Sequence, residues 1–409
     1  MIALLFGTYN SRHAANALLA GDLRAAGATV RECHEPLWEE TRDKNAPYFA
    51  PAGLARLALR YAGAARRLAR RLRQEGGAAS LLVVGFNGQL DVLLARALDR
   101  RRPILFAPLV TVTETLVDDR ETYGEGSVAA ALLGALDRAT LRAADLVLID
   151  TAAHREYLIE RLGVPPEKIV VQYLGAEAPF AAEGARRSGH GADDAAGLPA
   201  GVPGAPAPAD DAAGAGAMRV LGYSQYLPLH GNETIALAAR LVPPDCGITF
   251  ELVGTGPERA RSDAFTRKLP HVQSIDWVPY DELPGRIAAA DVVLGVFGRS
   301  VKARMVIPNK VWQAAAVGSA IVTADTPAIR EAFVPGESIC AVEPTPRALA
   351  DALLALARDP ERRVRLARGA RAVFERFAAD DARAARLRAA LASPTLAARL
   401  ASQPTGAAA

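Results

Sequence analysis

The chain has 409 residues, half of them apolar and 23% charged, with a formal net charge of +3. That length is more than one hydrophobic core usually serves, so two domains are expected, and so small a charge gives no ground for a nucleic-acid-binding reading. No apolar run reaches the roughly 18 residues that a membrane span needs, and the three cysteines, Cys33, Cys246 and Cys340, are too scattered for a disulfide framework or a structural zinc site.

The opening segment Met1 to Phe6 has no basic flank and is too short for a secretory leader, so it reads as a buried first strand. With the cysteine usage, this points to a reducing cytoplasm. Short apolar runs then alternate with longer amphipathic stretches. In the first half the predicted strands are Ile2–Phe6, Thr29–Cys33, Leu81–Val84, Ile104–Phe106, Leu146–Ile149 and Ile169–Gln172. Between the second and third lies a helical stretch with a stripe of Leu54, Leu57, Tyr61, Leu68 and Leu72. Arginines 56, 60, 66, 67, 70, 71 and 73 crowd its remainder. Such a helix covers a sheet with its stripe, and its basic face also suits peripheral contact with an anionic membrane.

Residues 179–217 are rich in Ala, Gly, Pro and Asp and have no hydrophobic period, so a disordered linker is expected there, centred on Gly201–Asp211. The second half predicts strands at Arg219–Tyr223, Ile248–Val253, Val272–Asp276, Val292–Val296, Ala320–Thr323 and Ser338–Val342. A final helical stretch runs from Pro360 to about Leu391, and the tail after Ser393 is expected to fray. The expected domains are therefore 1–178 and 218–377, with 378–409 as a terminal helix and tail. Strands apolar on both faces, alternating with helices, predict an α/β protein with two Rossmann-like domains. Each has a parallel sheet, and the two are expected to face across a ligand-binding cleft.

Three segments of the second half carry the candidate chemistry. Leu252 to Glu258 places Gly254 and Gly256 just after a strand, where glycines either let backbone amides approach a ligand or only close a turn. Pro257 breaks the dinucleotide fingerprint. Lys302 to Gly318 is the strongest segment. Pro308 suits the first turn of a helix continuing through Asn309, whose free amides and dipole favour a diphosphate. Lys302, Arg304 and Lys310 add positive charge, Gln313 offers a partner for a ribose hydroxyl, and Gly318 ends the helix. The third segment, Trp277 to Pro284, leads into Ile287–Leu294.

In the order LVGTGPE, WVPYDELP, AADVVLGVF and IPNKVWQAAAVGSAIVTADTPAIRE, these segments resemble the carboxyl-terminal domain of the family 4 glycosyltransferases, over most of residues 218–377. The first half resembles the family more loosely, through its strand order and the stretch Leu136–Asp150. The resemblance implies a GT-B fold and transfer of a sugar from a nucleotide diphosphate-sugar, with retention, without metal and with no other cofactor. By position it implies that Gly254 and Gly256 flank the donor nucleotide, that Trp277 and Val278 border the base, and that Lys310 lies by the diphosphate. The chain departs from the family's paired glutamates: Met305 and Gln313 stand in their places. His230 stands near the usual lysine after the first strand of this domain, and would bind phosphate best when protonated.

On the acceptor side the expected residues are Gly7, Asn10, Arg12 and His13 after the first strand, and Asn87 after the third. Glu114, Asp119 and Arg120, after the fourth, are the catalytic candidates together with His230 and Lys310. His154, His190 and His271 show no ligand spacing and read as surface or linker residues. The acceptor is expected to be a glycan, lipid or small molecule. The rivals are a non-catalytic sugar-nucleotide-binding or scaffolding protein that kept the fold, and a GT-B epimerase, for which no suitable set of carboxylates and a histidine is seen in the second half. Protease, esterase and NTPase motifs are absent.

Overall fold

The computed structural model describes residues 1–37, 51–189 and 217–401. These form two compact units, Met1–Leu174 with Asp380–Ala409, and Gly175–Ala379. In the first unit, strands β1 (Ile2–Gly7), β2 (Thr29–His34), β3 (Leu81–Val84), β4 (Ile104–Phe106), β5 (Leu146–Ile149) and β6 (Ile169–Val171) pair in the order β2-β1-β3-β4-β5-β6, all parallel. In the second unit, β7 (Met218–Tyr223), β8 (Ile248–Val253), β9 (Val272–Ile275), β10 (Val292–Leu294), β11 (Ala320–Ala324) and β12 (Cys340–Val342) pair in the order β12-β11-β10-β7-β8-β9, again all parallel. The twelve predicted strands are all present. Central ones such as β3, β5 and β11 are buried along their whole length, as strands covered by helices on both faces must be.

The chain reverses its direction of sheet growth between β1 and β3 in the first unit, and between β7 and β10 in the second. At such a switch point adjacent loops leave in opposite directions and open a crevice beyond the carboxyl ends of the strands.

The division differs from the expected one at two places. Residues 179–189, assigned to a linker, form with Ala178 the helix Ala178–Gly189 of the second unit. Alanine favours helix without a strong period, and the fully buried Phe180 supplies the anchor that the pattern lacked. The rest of the expected linker, with His190, lies outside the described residues. Secondly, the terminal helical stretch breaks at Ala378–Ala379. The helix Asp380–Leu391 and the helix Pro394–Ala401 belong to the first unit. Leu387 and Leu396, both fully buried, join its core beside Leu19 and Leu23, so the helix Pro394–Ala401 is anchored through Leu396 where fraying was expected. Buried Arg383 pairs with buried Asp22 at 2.8 Å, and Gln172 donates to the same carboxylate at 3.1 Å.

The helix Ala178–Gly189 lies against the helix Asn309–Val317 at Gly184, where a Cβ would overlap the Ala316 carbonyl and the Arg371 guanidinium. Gly184→Ala is therefore expected to cost about 1–3 kcal/mol through overpacking. A drop in the denaturant midpoint with unchanged slope checks this.

Among the described residues, Cys33, Cys246 and Cys340 are all free thiols, and no helix is long and apolar enough to cross a membrane.

Candidate functional site

At the switch point of the second unit, the loop Ser224–Gly231 leaves β7 and is held on both flanks by glycine. Gly254 and Gly256 both have positive φ, and a Cβ on them would overlap the carbonyls of Ser224 and Gln225. On the other side, a Cβ on Gly231 would overlap Phe297, and one on Gly298 would overlap Leu229. Backbone bonds from Phe297 N to His230 O (3.0 Å) and from Gly298 N to Leu229 O (3.2 Å) complete the stitching. Gly254 and Gly256 thus meet the chain's own backbone closely, and the Gly254 amide is already bonded to Ile275 O at 2.8 Å. Their glycine requirement is met by the fold itself. Of the two readings of these glycines, the close turn is the one that the geometry explains.

This loop carries His230. Its Nδ1 accepts from Leu227 N at 3.3 Å, so in the neutral ring the proton sits on Nε2. Burial, together with the charges of Lys310 and Lys302, holds its pKa well below the ordinary value. His230 is therefore neutral at physiological pH and can offer one Nε2–H, which corrects the expectation of a protonated phosphate ligand.

Lys302 and Lys310 are both buried. Lys302 lies on the short helix Val301–Met305, whose start is capped by Ser300 Oγ accepting from Ala303 N at 3.2 Å. Lys310 lies in the first turn of the helix Asn309–Val317, for which Pro308 is the N-cap rather than a first-turn residue. Its Nζ donates to Tyr223 O at 2.7 Å and lies 5.5 Å from the Tyr223 ring centroid. Burial lowers the Lys310 pKa from 10.5 to about 7. A buried ammonium so poised, at a switch point and a helix start, has the chemistry to hold an anion. Asn309 adds a buried Oδ1 that has no hydrogen-bond partner. Arg304 is exposed and Met305 is buried.

One helical turn beyond Lys310, Gln313 is buried and its amide is engaged. Its Oε1 accepts from Tyr223 OH at 2.9 Å. Its Nε2 donates to Tyr280 OH at 2.7 Å and to Glu177 Oε2 at 3.1 Å. Tyr280 OH donates to Glu177 Oε1 at 2.5 Å. Glu177 was not among the predicted site residues, since nothing in its own neighbourhood of sequence links it to residues more than 100 positions away. In the segment proposed for the base, Trp277 is 70% exposed and Val278 is buried.

In the first unit, Gly7, Asn10, Arg12 and His13 follow β1 and Asn87 follows β3, so these five stand at one switch point. Gly7, with positive φ, backs onto the buried Asp91. Asp91 accepts from Thr8 N (2.7 Å), Thr8 Oγ1 (3.0 Å) and Tyr61 OH (3.1 Å), which fixes the loop. Asn10 Oδ1 accepts from Arg12 N at 3.0 Å. The His13 ring lies 4.4 Å from that of Phe86, and Asn87 takes the left-handed conformation at φ 69°.

Glu114, Asp119 and Arg120 lie on the π-helical turn Glu114–Asp119 and its cap after β4. Glu114 is fully buried, with its Oε2 2.8 Å from His154 Nε2. His154 Nδ1 is 2.8 Å from Asp150 Oδ1. Burial opposes the imidazolium, yet the Glu114 charge, backed by Asp150, raises the His154 pKa to about 10. Glu114 is thereby committed to the interior and is removed from the set of groups that could meet an acceptor. His154 and His271, expected at the surface, are both buried. His271 Nε2 lies 3.0 Å from Ala239 O. Asp119 is buried and Arg120 half-buried.

Two family models match the chain, one for each half. A "Glycosyl transferase 4-like domain" covers residues 10–175, and a "Glycosyl transferase-like" model covers residues 234–392. No curated protein sequence matches the chain significantly. Among solved structures, the sucrose-phosphate synthase of Thermosynechococcus elongatus is similar at 17% identity and TM-score 0.68, with 97% of this chain and 99% of that one covered. HepE of Anabaena, solved with UDP and glucose, is similar at 16% identity and TM-score 0.63, with 96% and 100% covered. An Escherichia coli protein titled "Trehalose-6-phosphate", bound with UDP-2-fluoro glucose, is similar at 12% identity and TM-score 0.65, with 95% and 98% covered. With two parallel six-stranded sheets and glycosyltransferase models over both halves, the chain belongs to the group 1 glycosyltransferases of the GT-B fold.

Proposed function

We propose that this glycosyltransferase takes its sugar from a nucleoside diphosphate-sugar, whose diphosphate sits on Lys310, Lys302 and the Nε2–H of His230. The observation that carries this reading is Lys310: a buried ammonium whose pKa falls to about 7 for want of a nearby negative charge. An arriving diphosphate supplies that charge, and the amides at the start of the helix Asn309–Val317 add to it.

The reaction breaks the bond between the anomeric carbon and the diphosphate oxygen, while an acceptor hydroxyl oxygen bonds to the same carbon. Negative charge grows on the leaving phosphate, where the two lysines and His230 stabilise it. The acceptor's proton passes to that phosphate on the same face, which requires no enzyme nucleophile and retains the anomeric configuration. No metal is assigned a part in this scheme. Gly7, Asn10, Arg12, His13 and Asn87 are the acceptor-side candidates, and Asp119 and Arg120 are candidates for the catalytic step. Trp277 and Val278 are the candidates to border the base.

UDP-sugars are the first donors to test, because HepE and the Escherichia coli neighbour are titled with UDP or a UDP-sugar bound. In a thermal-shift panel of nucleoside diphosphates and their sugars, at least one is expected to raise Tm and to be hydrolysed slowly without acceptor. If none raises Tm, the site assignment is wrong. Binding without hydrolysis or transfer favours the non-catalytic reading, which Met305 and Gln313 support.

Exposed Arg56, Arg60, Arg66, Arg70 and Arg73 on the helix Pro51–Glu75 support peripheral contact with anionic lipid. Vesicles with 30% anionic lipid are expected to co-sediment the protein at low salt, with loss of binding at about 0.5 M salt.

A further inference from the structure

We infer that Glu177 reads the ribose of the donor, a role that depends on the nucleotide site proposed above. The connection begins at the diphosphate cradle. Lys310 Nζ bonds Tyr223 O, Tyr223 OH bonds Gln313, and Gln313 bonds Glu177. A carboxylate is thus joined to the cradle through two side chains, all within the second unit.

A nucleoside diphosphate presents two features next to each other whatever its base: the charged diphosphate and the ribose cis-diol. Two adjacent hydroxyls are two donors, and their strongest neutral-pH acceptor is a carboxylate. Gln313 is poorly suited to this task. Both N–H groups of its amide are spent, on Tyr280 and Glu177, and its oxygen already accepts from Tyr223.

Glu177 has capacity left. An ionised carboxylate has about four acceptor positions, and Tyr280 and Gln313 occupy one on each oxygen. The residue is half-buried, so its carboxylate is not sealed in the interior. Those two bonds also hold the carboxylate in one orientation before a ligand arrives, which limits the entropy lost on binding. Gln313 and Tyr280 therefore act as positioning residues, and Glu177 is the specificity-determining one.

A site built to hydrogen-bond a hydroxyl rejects the analogue that lacks it, because its acceptor is left unpaired. Isothermal titration of the full chain with UDP, 2′-deoxy-UDP and 3′-deoxy-UDP tests this, with GDP and 2′-deoxy-GDP as a second pair. The wild type is expected to prefer the ribose form by about 10- to 100-fold, the span of a hydrogen bond to a charged group. In Glu177→Ala that preference should fall below about 3-fold, while the deoxy form binds as it does to the wild type. Glu177→Gln, nearly isosteric, should show an intermediate preference, and it decides the matter if the alanine variant does not fold.

Equal weakening of both forms, with the preference intact, would show that Glu177 is only a strut and overturn the inference. A wild type that does not distinguish ribose from deoxyribose overturns it as well. Failure of every diphosphate to bind overturns the nucleotide reading along with it, so the two failures are told apart.

Discussion

Lys310→Met should abolish most turnover and, at the same time, make the unliganded protein more stable. The activity loss is expected to be about 100- to 1000-fold in kcat/KM, the range seen when one charge-stabilising donor is removed from a transition state. Binding of the diphosphate should weaken in parallel, while any affinity for the acceptor stays. The stability gain comes from the same side chain. Burial holds Lys310 near pKa 7 instead of 10.5, so between those values the unfolded chain carries a proton that the folded chain does not. Stability consequently falls as pH drops from 10.5 to 7 and is level below that. Methionine fills similar volume without this cost, and the expected gain at pH 7 is about 1–3 kcal/mol, below the ceiling of roughly 5 kcal/mol that the shift implies. Urea unfolding of both proteins at several pH values checks it: the gap should be widest at pH 7 and below and close toward pH 10.5. A variant that loses activity and stability together would mean that Lys310 is a packing residue.

His154→Leu should be the most damaging substitution in the first unit, at about 3–5 kcal/mol. It leaves Glu114 and Asp150, both buried, without the cation between them. The folded pKa of His154 is raised from 6.5 to about 10. Its contribution is therefore complete below pH 6.5 and lost as the pH rises toward 10. Wild-type stability minus that of His154→Leu should shrink over this window. A triple change that also replaces both carboxylates by apolar residues should recover much of the loss, because the cost lies in leaving charges unpaired. Recovery would separate this explanation from simple loss of packing.

The two substitutions mark what the sequence could and could not reveal. All twelve strands were legible: the central ones are compact apolar runs buried on both faces, and the exposed edge strands β2 and β9 fall where the alternation with helices calls for a strand. The helix start at Asn309 and the cations near it were legible too, because capping, dipole and charge are local. The helix Ala178–Gly189 was missed because a single aromatic residue, Phe180, anchors a segment of otherwise linker-like composition. His154 was misread although Asp150 stands one turn before it, a spacing that could have suggested a pair. Its second partner, Glu114, is 40 positions away, and only the parallel neighbours β4 and β5 bring them together. Glu177 is separated from Tyr280 by 103 positions and from Gln313 by 136. Contacts at that range follow from topology, and no local pattern encodes them.

The loop after β7 is gripped by backbone on either flank, through Gly254 and Gly256 on one side and Gly231 and Gly298 on the other. Its path is set by these glycines together with Ser224, whose Oγ accepts from Tyr226 N and donates to Asn232 Oδ1, and with the buried Tyr226. Gln225, exposed between the clamps, can be exchanged for almost any residue without moving His230. The architecture separates the frame of the loop from its exposed position Gln225, so that position can vary, by selection or by design, while the loop keeps its shape.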